Sequence, residues 1–252
     1  EDGKLELDTP IQEIMPDFQL NDATTASKVT TRHLLTHVGG WIGDYFDDFG
    51  DGDDALEQYV DAVKAMPQVT PLGKYWSYNN AAFGIAGRVI EVLTGQTFED
   101  FAQERIFTPL GMDKTFFFAR DVMLHRFVVG HNVSPDKVEV ASPWPIARAS
   151  NSAGRISSTI NDMLKYAQFH LSGGLAADGT RLLSEPSIQQ MQESQIEVGG
   201  FLDAMGISWM LDDVDGAKMV HHGGATNGLR RARPHELTRL VPVTVTSVTP
   251  AS

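Results

Sequence analysis

Residues 71–101 read PLGKYWSYNNAAFGIAGRVIEVLTGQTFEDF, and the fold prediction starts from this stretch. It opens on a turn signal, Pro71-Leu72-Gly73. Apolar residues then recur at helical spacing from residue 83 to residue 93, and Gly95 is typical of a helix end. The pattern predicts an amphipathic helix that is entered directly from Tyr78-Asn79-Asn80.

Tyr78 and Asn80 are the first candidates for chemistry, because both precede or open this helix. A tyrosine can shuttle protons if a nearby cation lowers its pKa from about 10. An asparagine can orient a substrate amide or ester through its donor and acceptor atoms. The alternative is structural: Asn80 caps the helix and Tyr78 is an anchoring aromatic residue.

Composition limits the classes of function. A chain of 252 residues suggests one large domain or two small ones. The chain has no cysteine, which excludes disulfides, a thiol nucleophile and cysteine-bound zinc. A net charge of −13 argues against nucleic acid or an anionic membrane as a partner. No apolar run is long enough to predict a membrane-spanning segment. The compartment stays open.

A second candidate cluster is His221-His222-Gly223-Gly224-Ala225, which follows a strand-like run at residues 217–221. Two glycines after a histidine on a strand edge would let a substrate approach the backbone closely. The next backbone N–H could then stabilise an oxyanion. The alternative is a glycine-rich turn with surface histidines.

Two further patterns partly match metal-binding motifs, but neither has the full set of ligands. His33 and His37 have the i, i+4 spacing of a metal pair, but Leu34 stands where zinc proteases have glutamate, and no third ligand is evident. We therefore favour core or capping histidines. The acidic stretch 44–54 fails the calcium-loop pattern and is predicted to be a solvated loop.

Ser134 and Lys137 match S-x-x-K literally. That motif works when the serine opens a helix and the lysine lies one turn later on the same face. The alternating residues 138–140 predict a loop and strand instead, so we interpret the match as coincidental.

Several stretches, in this order, resemble the serine β-lactamase-like hydrolases, which include class C β-lactamases, DD-peptidases and related esterases. The likeness covers most of residues 1–228. It rests on GKLELDTPIQEIMPDF at 3–18, TTRHLLTHVGG at 30–40, the Y-x-N block in 71–101, SAGRISSTINDMLKYAQFHL at 152–171 and MVHHGGATNG at 219–228.

The resemblance implies an α+β fold: an antiparallel sheet flanked by helices, plus a mostly helical region, incomplete at both ends. It implies that Tyr78 is the general base and acid and that Asn80 contacts the substrate carbonyl. His222 would stand where the family has Lys or His. Gly223 and Gly224 would keep the strand open, and the N–H of Ala225 would be an oxyanion donor. It implies a small ester, peptide or β-lactam substrate and no cofactor.

The chain also departs from the family pattern. The family's S-x-x-K lies upstream of the GKLELD segment, so the nucleophile serine and its lysine are missing here. We therefore expect the chain as given to be inactive; the alternative is a non-catalytic binding protein that keeps the pocket. His222 in place of lysine favours an ester or peptide over a β-lactam.

The last 24 residues, 229–252, read LRRARPHELTRLVPVTVTSVTPAS and differ in composition from the rest. Arginines crowd into an otherwise acidic chain, and Thr, Val and Pro dominate the end. We predict a partial β-lactamase-like domain over 1–228 and an off-pattern tail over 229–252, with out-of-frame or unrelated sequence as the hypothesis for its origin. Translating the coding DNA in the other forward frames should then restore an apolar strand pattern after Gly228.

Overall fold

Helices and three small antiparallel sheets make up the part of the chain that the structure describes. A computed structural model describes residues 1–142, 146–226 and 229–230. Its α-helices are α1 (Ile11–Ile14), α2 (Ala23–Ala26), α3 (Thr31–Leu35), α4 (Ala55–Val63), α5 (Asn80–Thr94), α6 (Phe98–Ala102), α7 (Ala119–Val122), α8 (Asn151–Gly154), α9 (Ile160–Leu171) and α10 (Glu185–Met191). A π-helical turn, Gln103–Phe107, extends α6, and a 3₁₀ turn, Arg148–Ser150, precedes α8.

The helix predicted within residues 71–101 is confirmed as α5. It ends at Gly95, whose φ of 70° is a left-handed conformation that glycine adopts without steric cost. Asn79 caps its start, with the side chain accepting a hydrogen bond from the backbone N–H of Ala82. Asn80 is the first helical residue, so the alternative that Asn80 is the cap is wrong.

The largest core cluster surrounds α5. Ile85 and Val89 of α5 pack with Ile11 of α1, Leu34 of α3 and Val63 of α4, all almost fully buried. Burial of each such side chain contributes about 1.5–3 kcal/mol relative to exposure. This core therefore fixes the position of α5 and of the residues that lead into it.

The strands lie mainly in the C-terminal half of the described chain: β1 (His131–Ser134), β2 (Lys137–Val140), β3 (Ile196–Glu197), β4 (Ala204–Met205), β5 (Met210–Val214), β6 (Ala217–His221), β7 (Ala225–Thr226) and β8 (Leu229–Arg230). β3 to β6 form one antiparallel sheet in chain order, while β1 pairs with β2 and β7 with β8.

The β5–β6 hairpin positions the end of the sheet that matters for the site. Asp215 and Gly216 both have positive φ, as a tight two-residue hairpin turn requires. Helix α9 packs against the sheet through Ala167, which shares a buried cluster with Leu211 and Val220. The strand predicted at residues 217–221 is confirmed as β6, and His222 directly follows it.

No helix in the described ranges is long and apolar enough to cross a bilayer. The tail predicted at 229–252 lies outside the described residues, apart from β8. Both the boundary after residue 228 and the origin of the tail stay predictions.

Candidate active site

Tyr78 and His222 meet where the helical region adjoins the sheet. The Tyr78 hydroxyl lies 3.4 Å from Nε2 of His222, and their ring centroids are 6.0 Å apart. Tyr78 enters from the segment before α5, and His222 from the end of β6. Two residues that sequence reasoning placed in one site are thus adjacent, and Tyr78 remains 37% exposed to solvent.

The backbone around Tyr78 is held by a second segment that runs beside it. The N–H of Ser77 donates to the carbonyl of His37 over 2.9 Å, and the N–H of Ala81 donates to the carbonyl of Gly43 over 2.9 Å. A Cβ at Gly43 would lie 2.5 Å from the carbonyl oxygen of Tyr78. Only glycine therefore permits this close approach at residue 43.

Asn79 and Asn80 have different roles. Asn79 is 1% exposed; its side chain accepts from the N–H of Ala82 and donates to the carbonyl of Trp41. Asn80 is only half-buried, and its Nδ2 donates to Oδ1 of Asp44 over 2.9 Å. Because Asn79 does the capping, the Asn80 amide stays at the surface of the site, two residues after Tyr78.

The surroundings of Tyr78 shift the pKa of its phenol. Partial burial, followed by the charge of Asp44, raises the pKa of the Tyr78 phenol above its usual value of 10. The condition for a proton shuttle, a nearby cation that lowers this pKa, is therefore not met within the described part of the chain. In this environment the phenol keeps its proton and is a better donor than base.

Gly223, Gly224 and Ala225 continue the chain beyond His222. Both glycines are exposed, and an added Cβ at either would meet no described atom within 4 Å. Ala225 begins β7, whose register pairs it with Arg230 of β8. The structure thus leaves open space beside the two glycines; the oxyanion role of the Ala225 N–H stays a prediction.

The Ser134–Lys137 match lies on a surface hairpin and not on a helix. Ser134 ends β1 and Lys137 begins β2, and the two residues face each other in the register. The Ser134 hydroxyl donates to the carbonyl of Lys137, and the ammonium group of Lys137 pairs with Glu139. The interpretation of this match as coincidental is confirmed.

His33 and His37 have structural partners. Nδ1 of His33 accepts from the N–H of Thr30 and completes a capping box at the start of α3. Nδ1 of His37 accepts from the N–H of Asn79 over 2.9 Å, and the residue is 1% exposed. The interpretation of both as core or capping histidines is confirmed.

Sequence reasoning missed the roles of Asp44 and His37 beside Tyr78. Asp44 was grouped with a solvated acidic loop, yet it accepts a hydrogen bond from Asn80 and raises the pKa of Tyr78. His37 stacks on the Tyr78 ring with centroids 4.4 Å apart. No local pattern distinguishes Asp44 from its acidic neighbours. For His37, the available signal is its position four residues after His33.

Comparison with known proteins finds a matching protein family and a similar penicillin-binding protein. A sequence model of the family described as Beta-lactamase matches residues 1–249. Penicillin-binding protein 4 of Amycolatopsis lactamdurans is 35% identical over 237 residues, which are 90% of this chain and 61% of that protein. The chain therefore spans about three-fifths of that relative's length.

Solved structures give the same fold. The octameric penicillin-binding protein homologue from Pyrococcus abyssi superposes with a TM-score of 0.73 at 22% identity, over 89% of this chain and 52% of that one. A class C beta-lactamase from Rhodobacter sphaeroides superposes with a TM-score of 0.67 at 21% identity, over 90% of this chain and 68% of that one. The α+β, β-lactamase-like fold implied by the resemblance is confirmed.

Proposed function

Because this chain belongs to the beta-lactamase family, we propose that its site serves acyl transfer of the serine-hydrolase type. The observation that carries the proposal is the 3.4 Å approach of the Tyr78 hydroxyl to Nε2 of His222. It brings together the Y-x-N block and the strand-edge histidine from positions 144 residues apart, as a shared site requires.

In this proposal a serine Oγ attacks the carbonyl carbon of an ester, amide or lactam and forms an acyl-enzyme. Tyr78 takes the serine proton and passes it to the leaving oxygen or nitrogen as the scissile bond breaks. The Asn80 amide orients the substrate carbonyl. A backbone N–H at Ala225 stabilises the oxyanion, and water then releases the acid and regenerates the serine.

We propose that the 252-residue chain is inactive by itself. Its S-x-x-K match at Ser134 and Lys137 is a surface hairpin, so neither residue can act as the nucleophile pair. The raised pKa of Tyr78 agrees with a site whose lysine is missing. An ammonium group beside the phenol would lower that pKa and make Tyr78 an effective base.

A large cleft supports the idea that a helix belongs to this fold in addition to the described ones. It has a volume of about 880 Å³ and lies between the helical region and α9. Apolar side chains line much of it, among them Leu35, Ile90, Leu93, Phe101, Tyr166 and Phe169. His170, also on its wall, is 4% exposed and has no hydrogen-bond partner at either ring nitrogen among the described residues. We propose that a helix carrying the serine and lysine fills this cleft.

The substrate class follows from His222. A histidine, whose usual pKa is about 6.5, offers a less complete positive charge for a substrate carboxylate at neutral pH than a lysine ammonium does. We therefore propose a small ester or peptide substrate, with a β-lactam as a poorer one. The name of the Amycolatopsis relative supports penicillin as a probe.

Labelling with a fluorescent penicillin and with a serine-directed fluorophosphonate tests this function. We define the completed chain as these 252 residues with the corresponding preceding segment of the Amycolatopsis penicillin-binding protein fused before Glu1. The 252-residue chain should not be labelled, whereas the completed chain should be labelled stoichiometrically. Labelling of the 252-residue chain would show that the inactivity proposal is wrong.

A second candidate function is a non-catalytic binding protein that keeps the pocket. The raised pKa of Tyr78 favours it, because a phenol that holds its proton can donate to a ligand carbonyl without chemistry. The two proposals separate in the completed chain. A completed chain that unfolds cooperatively and binds penicillin reversibly, without covalent labelling, would favour the binder.

A further inference from the structure

His37 contacts the Tyr78 segment on both sides of the tyrosine. Its carbonyl accepts the N–H of Ser77, and its Nδ1 accepts the N–H of Asn79, each over 2.9 Å. The residue adopts a φ of 58°, which is uncommon for a residue other than glycine, although histidine, asparagine and aspartate adopt it more often than most. One residue in an unusual backbone conformation thus fixes the residues directly before and after Tyr78.

The His37 ring is also the surface against which Tyr78 rests. The two rings stack with centroids 4.4 Å apart and an interplanar angle of 29°. Phe83 of α5 lies against the same imidazole, 5.1 Å away at 31°, and Trp76 meets it edge-on at 6.1 Å. Because His37 is 1% exposed, these neighbours leave its ring little freedom to move.

The hydrogen bonds define which form of His37 is present. Nδ1 accepts a hydrogen bond from the backbone N–H of Asn79, so the ring's own proton is on Nε2 and the ring is neutral. An imidazolium could not accept that bond. Burial, followed by the charge of His222, lowers the pKa of His37 to about 4. The neutral form therefore persists at neutral pH.

We propose that His37 is a positioning residue for Tyr78, holding the phenol toward His222 through the Asn79 hydrogen bond and the stacked ring. The significance of that position for catalysis rests on the proposed function, but the geometric claim does not. His37 touches no reacting atom and acts through Tyr78. This role goes beyond the core position predicted for it.

The test measures the coupling between Tyr78 and His222 in the 252-residue chain, without any need for activity. The five tyrosines are labelled with 3-fluorotyrosine, and Tyr78→Phe identifies the ¹⁹F resonance of residue 78. His222→Gln should shift that resonance, because the two rings lie 6.0 Å apart. The shift is then measured again in chains that carry a substitution at His37.

Two substitutions separate the two contacts. His37→Asn keeps an acceptor and tolerates the positive φ, but it removes the stacked ring. His37→Phe keeps a ring and removes the acceptor. We expect a smaller His222→Gln shift and a broader Tyr78 resonance in both variants. A buried control in α5, Val89→Ala, lowers stability without contacting the site and should keep the full shift.

A full shift in both His37 variants would overturn the proposal, and so would an equal loss in Val89→Ala. The outcome is independent of covalent labelling. If the completed chain fails to label while the coupling depends on His37, the catalytic proposal fails and the positioning proposal stands. If labelling succeeds and the coupling does not depend on His37, the positioning proposal fails and the catalytic proposal stands.

Discussion

The Tyr78 hydroxyl lies 3.4 Å from Nε2 of His222, across the junction between α5 and the end of β6. The distance is at the long end of the range for a hydrogen bond, and such contacts often tighten only when substrate binds. The pair joins the helical region to the sheet at the point where the glycines after His222 leave open space.

Tyr78→Phe should reduce the rate of penicillin acylation of the completed chain by about 10²- to 10⁴-fold, as expected for loss of a general acid–base group. The substitution removes one oxygen and keeps the stacking on His37. Tyr75→Phe is the matched control: Tyr75 is exposed and three residues away, and the ammonium group of Lys74 lies over its ring. Stopped-flow fluorescence measures both rates. Equal rates for Tyr78→Phe and the parent would remove Tyr78 from the mechanism.

Asn79→Ala and Asn80→Ala should separate stability from function. Asn79→Ala removes the α5 cap, worth about 1 kcal/mol. It also leaves the buried Trp41 carbonyl without its donor, which costs about 1–3 kcal/mol. Among the described residues, the Asn80 side chain bonds only Asp44 at the surface, so Asn80→Ala should change stability little and slow acylation instead. Urea unfolding and acylation rates check the two effects, and a reversed pattern would contradict the assignment.

The different roles of Asn79 and Asn80 illustrate what the sequence could predict. The periodicity of α5 is local and was sufficient to place the helix and its end at Gly95. Which asparagine caps the helix depends on backbone conformation: Asn79 has the extended φ of −144° that a cap needs. The sequence alone does not show which of two adjacent asparagines adopts that conformation.

The proximity of Tyr78 and His222 came from the ordered resemblance, since 144 positions separate the two residues. The contribution of Asp44 could not be predicted in the same way. It is one of several acidic residues in a run, and it reaches Asn80 because residues 37–43 run beside residues 77–81. Gly43 makes that approach possible, but its role becomes visible only when both segments are in place.

A buried ion pair should matter more to stability than an exposed one of equal geometry. Arg148 bonds Glu99 and Asp53 and is almost fully buried together with Glu99. Arg148→Ala leaves the Glu99 charge buried and should cost about 3–5 kcal/mol. Arg105→Ala is the control, because Arg105 makes two short bonds to Asp2 at the surface. Its loss should move the urea midpoint little. Equal losses of stability in Arg148→Ala and Arg105→Ala would show that burial does not determine what an ion pair contributes.

Acid should destabilise the fold through two buried histidines. Burial lowers the pKa of His170 to about 4, and burial with the charge of His222 does the same for His37. Above pH 6.5, which is about the pKa of histidine in an unfolded chain, both histidines are neutral in the folded and in the unfolded state. Between that value and 4 the unfolded chain binds protons that the folded chain does not, so stability falls as pH falls. Each histidine contributes a loss on the order of 3 kcal/mol across this window.

Urea unfolding between pH 7 and pH 4.5 measures this slope. His170→Phe should flatten it, because one buried group no longer takes up a proton on unfolding. His131→Asn is the control, since His131 is exposed on β1 and should leave the slope as it is. Stability that stays level from pH 7 to 4.5, or that rises as pH falls, would contradict the neutral buried histidines. It would also weaken the Nδ1 acceptor assignment on which the positioning role of His37 depends.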